Sequence, residues 1–333
     1  MNKKFMNSKN NLIEDMIEGF VKANENTLSK LENSHVILSK KIKKGKVGVV
    51  IGNGSGHEPA CIGFVGENML DANAYGGLFA APGPQAIVDA IEAADQGNGV
   101  CLLVSNHAGD VINSKMAESI AKSKGINVRS VILFDDIASA SKEEDPFERR
   151  GAAGTLFVYK LVGSYSTQNV SLDEVCDYAE YVRDNVRTLS VSSVSGSNPI
   201  TNEMFFSMDE DKYEIGMGVH GETMENRIDV ISSQKLSRIM IDMLVKDKPF
   251  DRSIPISILV NGMGRTTWME LHIFYNDVSL HLQEMGFSLV KPIIGNYITT
   301  QDTAGISLSL CAMNKFDEQM LLLPTNAVAF RGL

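Results

Sequence analysis

Paired thiols are missing from this chain. Its four cysteines (Cys61, Cys101, Cys176 and Cys311) stand far apart and form no CxxC pair. A disulfide-stapled scaffold or a thiolate zinc site needs closer spacing, so reduced, mostly buried thiols in a cytoplasmic protein are expected, with no metal. Long apolar runs are missing as well. Each is broken by Gly, Asn or a charge far short of the ~20 residues that a bilayer crossing requires. The basic start, Met1-Asn2-Lys3-Lys4-Phe5-Met6-Asn7, is followed by no apolar core segment, so a secretory signal is not expected either. Positive charge is scarce: 31 Lys and Arg stand against 41 Asp and Glu, a net charge of −10. Such a chain is poorly suited to neutralising a row of phosphates, which argues against direct nucleic-acid binding and leaves action through a DNA-binding partner open. Proline is sparse (9) and tryptophan occurs once, whereas Gly reaches 28 and hydrophobic residues 44%. That is an ordinary globular composition, with length for about two domains at roughly 150 residues each.

Periodicity predicts α/β architecture. Apolar spacing of three and four from Leu12 to Leu31 predicts an amphipathic helix, as it does over 88–94, 112–122, 154–164, 173–188, 234–245 and 269–285. Short apolar runs at 36–38, 48–51, 100–104, 128–134, 256–260, 288–290 and 306–310 predict strands. The polar stretch 139–150 reads as an exposed loop. A Ser-rich change of texture at 189–199 suggests a boundary, giving an N-terminal α/β domain over 1–188 and a C-terminal one over 189–333 whose tail returns to the first.

Four segments could carry chemistry. Gly52-Asn-Gly-Ser-Gly-His57-Glu58-Pro59 follows a strand, as a dinucleotide fingerprint would. Pro59 stands where the helix should open, and no Walker lysine follows, so nucleotide loops of both kinds are excluded. What remains is a turn whose backbone can approach a small ligand, with His57 beside it as a candidate general base. Asn106-His-Ala-Gly-Asp110 follows a second strand, where Asp110 could reach the same rim or merely cap the next helix. In Gly216-Met-Gly-Val-His220-Gly-Glu222, a histidine between glycines exposes a ring nitrogen able to add to a carbonyl; a solvent-facing turn histidine is the plainer alternative. Arg265, near a helix start, sits oddly for a cation, and Trp268 reads as core or interface.

Together these segments resemble the dihydroxyacetone-binding subunit family of the dihydroxyacetone kinases, DhaK. The resemblance spans nearly the whole chain through Gly54-Ser-Gly-His-Glu-Pro59, Gly109-Asp110, Asp135-Asp136, Arg149-Arg150-Gly151, Val219-His-Gly-Glu222, Leu259-Val-Asn-Gly262 and Gly295-Asn-Tyr297. It implies a two-domain α/β fold with mixed sheets flanked by helices, and a homodimer. It implies a hemiaminal between His220 and the ketone carbon of dihydroxyacetone, with Gly54, Ser55, Gly56, His57 and Asp110 around the hydroxyls. In a kinase His57 and Asp110 would also serve catalysis. No ATP is implied on this chain, because a separate ADP-carrying subunit delivers the phosphoryl group.

The departures point elsewhere. Where kinase members generally carry Lys-Asn-Tyr-Thr-Gly-Asp, this chain has Ser105-Asn-His-Ala-Gly-Asp110, so a cation beside the substrate is gone. Ala81-Pro-Gly-Pro84 replaces Ser-Pro-Thr-Pro, Thr223-Met224 replaces Pro-Gly, and the run 191–199 differs throughout. Ligand-holding positions remain while those around phosphoryl transfer change. The pattern resembles the co-activator paralogues of the family (DhaQ-type), which sense the ketone and act through a TetR-like DNA-binding regulator (DhaS-like). The expected function is therefore a dihydroxyacetone sensor and transcriptional co-activator; the alternative is a phosphotransferase-dependent kinase subunit.

Overall fold

The structure is a computed structural model and describes residues 4–141, 143–224 and 226–330. Met1 to Lys3 of the basic start lie outside them. In chain order the elements are α1 (Leu12–Ala23), β1 (Leu28–Lys30), β2 (Val36–Ser39), β3 (Gly48–Ser55), β4 (Ala72–Leu78), α2 (Pro84–Ala94), β5 (Val100–Ser105), α3 (Ala108–Ser123), β6 (Val128–Leu133), α4 (Thr155–Tyr165) and α5 (Leu172–Asp184). Then follow β7 (Val186–Val194), β8 (Lys212–Ile215), β9 (Asn226–Asp229), α6 (Ser233–Asp247), β10 (Ile256–Gly262), α7 (Trp268–Glu284), β11 (Ile293–Gly295), β12 (Ala304–Ala312) and α8 (Lys315–Leu322). No helix among the described residues is long and apolar enough to cross a membrane.

The chain forms two compact units, each discontinuous in sequence. Residues 4–133, 157–183 and 319–330 belong to the first; 134–156 and 184–318 belong to the second. The expected division at 188/189 lies near the passage at 183/184; the passages at 133/134, 156/157 and 318/319 carry no change of composition to announce them.

In the first unit the strands order as β1-β2-β4-β3-β5-β6. β4, β3, β5 and β6 run parallel, and β1 and β2 add antiparallel at one edge. β3 is central and all eight of its residues are buried. Buried on both faces, it reads in sequence as a continuous run, Val49-Val50-Ile51, each side chain contributing about 1.5–3 kcal/mol of burial. The apolar faces of α2 and α3 pack here through Ile87, Val88, Ile91, Ala117 and Ala121. In the second unit β11-β10-β12-β7-β8-β9 form a sheet that is antiparallel except for β10–β11. Its core joins α6 and α7 to the sheet through Met240, Leu244, Leu271, Phe274 and Val278.

Several expectations are corrected. The helix predicted to Leu31 ends at Ala23, because the Asn24–Thr27 turn intervenes and Leu28 pairs with Ser39 as strand. The helix predicted to Thr188 ends at Asp184, after which the chain pairs with β12 as strand and puts Leu189 and Val191, two apart, into the core of the second unit. At 288–290 there is only a bridge from Leu289 to Ile256; the strand begins after Pro292. β4 was not expected, since Ala72-Asn-Ala-Tyr75 alternates small and amide residues without an apolar signal. The stretch 139–150 is not all solvent-exposed: Arg149 is buried and forks onto Asp247 at 2.9 and 2.5 Å, where Arg187 also donates at 2.8 Å. Trp268 is exposed at the first position of α7, which Thr267 and Glu270 close with a capping box.

Candidate functional site

The first unit builds a glycine turn where its chain order reverses. From β3 the chain moves to one side as β4, then returns over α2 to the opposite side as β5. In parallel sheets the crevice for a ligand opens outside the carboxyl ends of strands flanking such a reversal. Gly54 and Ser55 are the last residues of β3, Gly56 and His57 follow, and Ser105 is the last residue of the adjacent β5. Asp110 stands in the first turn of α3, a position favourable for a carboxylate. It is not the helix cap, which is His107.

Backbone packing fixes this turn. A Cβ on Gly54 would lie 2.8 Å from the Ala80 amide nitrogen. Gly56 has φ +104°, and a Cβ there would meet the Phe79 ring at 2.5 Å. Glu58 ties the turn by accepting from the Gly56 N–H at 2.8 Å and from the Tyr75 hydroxyl. Burial, reinforced by the Glu58 charge, pushes the Tyr75 phenol well above its ordinary pKa. The Glu58–Pro59 peptide is cis, and a short 3₁₀ turn (Ile62–Phe64) follows instead of an α-helix.

Three side chains bring polar chemistry to the turn. The Ser55 hydroxyl is buried and has no hydrogen-bond partner. His57 is 6% exposed, its ring 5.1 Å from that of Phe79 and tilted by 48°. Asp110 is buried, and its charge reaches Cys61, whose thiol is pushed up to about 12, chiefly by burial.

His220 belongs to the second unit, on the loop after β8. The loop closes through the Gly221 N–H on the Gly218 carbonyl (3.0 Å) and the Gly218 N–H on the Glu222 carbonyl (2.8 Å). The Thr300 hydroxyl donates to the Val219 carbonyl at 2.8 Å, and the Met224 N–H donates to buried Glu214 at 3.0 Å. His220 is 27% exposed, with Nδ1 3.3 Å from Glu222 Oε1, while its backbone N–H donates to Glu222 Oε2 at 2.9 Å. Arg150 lies 3.9 Å from that carboxylate and donates to Asp136 at 3.1 and 2.8 Å and to the Gly216 carbonyl at 3.2 Å. Burial pushes the Glu222 carboxyl up, but the His220 hydrogen bond and charge, with Arg150, bring it down to about 2. Burial raises Asp136 against the pull of Arg150.

Thus Gly54, Ser55, Gly56, His57, Ser105 and Asp110 fall in one unit, and His220 is placed beside Glu222 in the other. Sequence reasoning assigned no role to Glu222, Arg150, Asp136, Glu214 or Thr300. The acidic pair 135–136 and the basic pair 149–150 were visible signals, but nothing in their spacing tied them to the histidine.

This combination of glycine turn, helix-borne aspartate and loop histidine accompanies a match to the Dak1 domain over residues 18–329. The chain belongs to the Dak1 domain family. It is 37% identical over 333 residues to "PTS-dependent dihydroxyacetone kinase 1, dihydroxyacetone-binding subunit DhaK" of Listeria innocua, covering 98% of this chain and 100% of that one. To the corresponding DhaK subunit of Lactococcus lactis it is 37% identical, covering 96% and 95%. Among solved structures, "Dihydroxyacetone kinase operon co-activator Dha-DhaQ" superposes with TM-score 0.89 at 30% identity, covering 95% of this chain and 97% of that one. The Dak1 chain thus shares its mixed α/β fold with kinase subunits and with a co-activator.

Proposed function

We propose that this Dak1 chain is a dihydroxyacetone-binding protein of the DhaK type that works as a ketone sensor and transcriptional co-activator. A ring nitrogen of His220 adds to the ketone carbon to give a hemiaminal, and Gly54, Ser55, Gly56, His57 and Asp110 bind the hydroxyls. Binding biases a partner-facing element, which acts through a TetR-like, DhaS-like DNA-binding regulator in the cytoplasm; the chain works as a homodimer and carries neither ATP nor metal. A ligand shifts such an equilibrium only by binding its two states differently. Membership of the DhaK lineage over nearly the full chain supports the ketone.

The observation that carries the sensor role is Ser105. It ends β5 beside the ligand turn of β3, and neither 52–59 nor 105–110 contains a Lys or Arg to meet charge developing on a phosphoryl group. A second reading, the kinase subunit, is favoured by the 37% identity to kinase subunits over nearly the whole chain and by the presence of His57 and Asp110. In that reading those two side chains position and deprotonate the acceptor hydroxyl.

Ketone capture is tested by intact-mass spectrometry of the protein with dihydroxyacetone and with glycerol. One adduct per chain with the ketone and none with glycerol is expected, since a polyol has no carbonyl to attack. Equal retention of both, or of neither, contradicts capture.

A further inference from the structure

We infer that Glu222 is a positioning residue for His220: it accepts the Nδ1–H of the ring, leaving the Nε2 lone pair to add to a carbonyl, while Arg150 and Asp136 hold its carboxylate in place. The chemistry rests on the ketone-capture reading above; the geometry does not. Glu222 spans its partner, with Oε1 3.3 Å from Nδ1 and Oε2 2.9 Å from the backbone nitrogen of the same histidine. One carboxylate thus fixes both the ring and the main chain that carries it. An ionised carboxylate only accepts hydrogen bonds, so the ring nitrogen facing it must be the donor. The downward shift of the Glu222 carboxyl keeps it ionised wherever the protein works.

The support behind Glu222 is equally directed. Arg150 is anchored on Asp136 and on the Gly216 carbonyl, and presents Nη1 toward Glu222 at 3.9 Å. Glu222 and Arg150 occupy the space over Gly218: a Cβ there would lie 2.3 Å from Glu222 Oε2 and 2.4 Å from Arg150 Nη1. A side chain there would push the ends of both out of this arrangement. The motif from Gly216 to Glu222 is a cradle in which the glycine admits the ion pair and the ion pair orients the histidine. Carboxylates behind ligating imidazoles play the same part in metal sites, fixing the tautomer and raising basicity.

The addition balances without any further reactant. The Nε2 lone pair forms the C–N bond, and the carbonyl π pair moves to oxygen, which takes a proton from water. The ring is then an imidazolium, held by the facing carboxylate, and its Nδ1 proton leaves by way of Glu222 to water. Ketone and imidazole give one hemiaminal; no group leaves and nothing is oxidised.

The experiment is long-range ¹H–¹⁵N NMR of histidine-labelled full-length protein without ketone, at a pH where the ring is neutral, followed by adduct titration with dihydroxyacetone. Native His220 is expected with its proton on Nδ1. Glu222→Ala should lose that preference and weaken adduct formation about 10- to 100-fold, the range seen when the partner of a ligating imidazole is removed. Glu222→Gln, whose amide oxygen can still accept, should keep the tautomer and recover adduct formation to within a few fold of native. An Nε2–H tautomer in the native protein overturns the inference, whether or not Glu222→Ala folds; so does an unchanged tautomer in Glu222→Ala. Nδ1–H in the native protein without any ketone adduct leaves this inference standing and removes the capture reading instead.

Discussion

The two loops that carry the candidate chemistry are held by different forces. In the first unit the Gly54–His57 turn is shaped by exclusion: β3 is wholly buried, and the space a side chain would need is filled by the Ala80 backbone over Gly54 and by the Phe79 ring over Gly56. Gly76 is the extreme case, since a Cβ there would lie 2.2 Å from the Ala80 carbonyl oxygen. In the second unit the His220 loop is partly exposed and is held by polar side chains, namely Glu222, Arg150, Glu214 and Thr300. Packing gives a rigid rim that tolerates almost no substitution. Charged partners give a histidine whose orientation can be changed one residue at a time.

Breaking each loop should therefore look different. The largest effect is chemical: His220→Ala should abolish the ketone adduct outright with little change in melting temperature, read by intact mass and calorimetry. Next is Gly76→Ala, which forces a side chain against backbone and should cost about 3 kcal/mol, seen as an early unfolding transition. Ser55→Ala should do the opposite of an ordinary buried substitution. It removes a hydroxyl with no partner, so stability should hold or rise by up to ~1 kcal/mol while ketone affinity falls about tenfold. A melting temperature that drops sharply, with affinity unchanged, would remove Ser55 from the ligand rim.

A further effect concerns pH. Lys160 is fully buried and donates to the Ser164 hydroxyl (2.7 Å) and to the Met320 (3.1 Å) and Leu323 (2.7 Å) carbonyls. Burial lowers its pKa from 10.5 to about 7. Between those values the unfolded chain binds more protons than the folded one, so this lysine makes stability rise with pH from about 7 to 10.5. Lys160→Met should flatten that rise in denaturant titrations across the window. An identical slope in the variant would show that the folded lysine keeps an ordinary pKa.

This difference between the loops also explains what the sequence disclosed. Gly54, Gly56 and His57 stand together after an apolar strand, so a local pattern carries the first turn, and Asp110 follows a second strand in the same way. The side chains that hold the His220 loop come from positions 136, 150, 214, 222 and 300, and of these Glu222 alone is a neighbour of His220 in the chain. Arg150 in particular lies in the loop expected to be exposed, yet its side chain is largely covered and meets the cost of leaving water by pairing with Asp136. Among the elements, β4 was hidden by its Ala and Asn residues, and the start of β7 by the helical charge pattern running up to Asp184. Fold class was legible because central parallel strands and amphipathic helices write strong periodic signals. Discontinuous units were not, because packing between distant segments leaves no local mark.

The central claim is capture of a hydroxyketone without its phosphorylation. Its most direct test is a coupled assay on dihydroxyacetone with the ADP-loaded partner subunit and its phosphoryl donor, run beside an authentic DhaK and with the adduct followed by mass. The account predicts an adduct on His220 and no turnover above background while the control turns over. Turnover near that of the control would contradict it and make this Dak1 chain a kinase subunit.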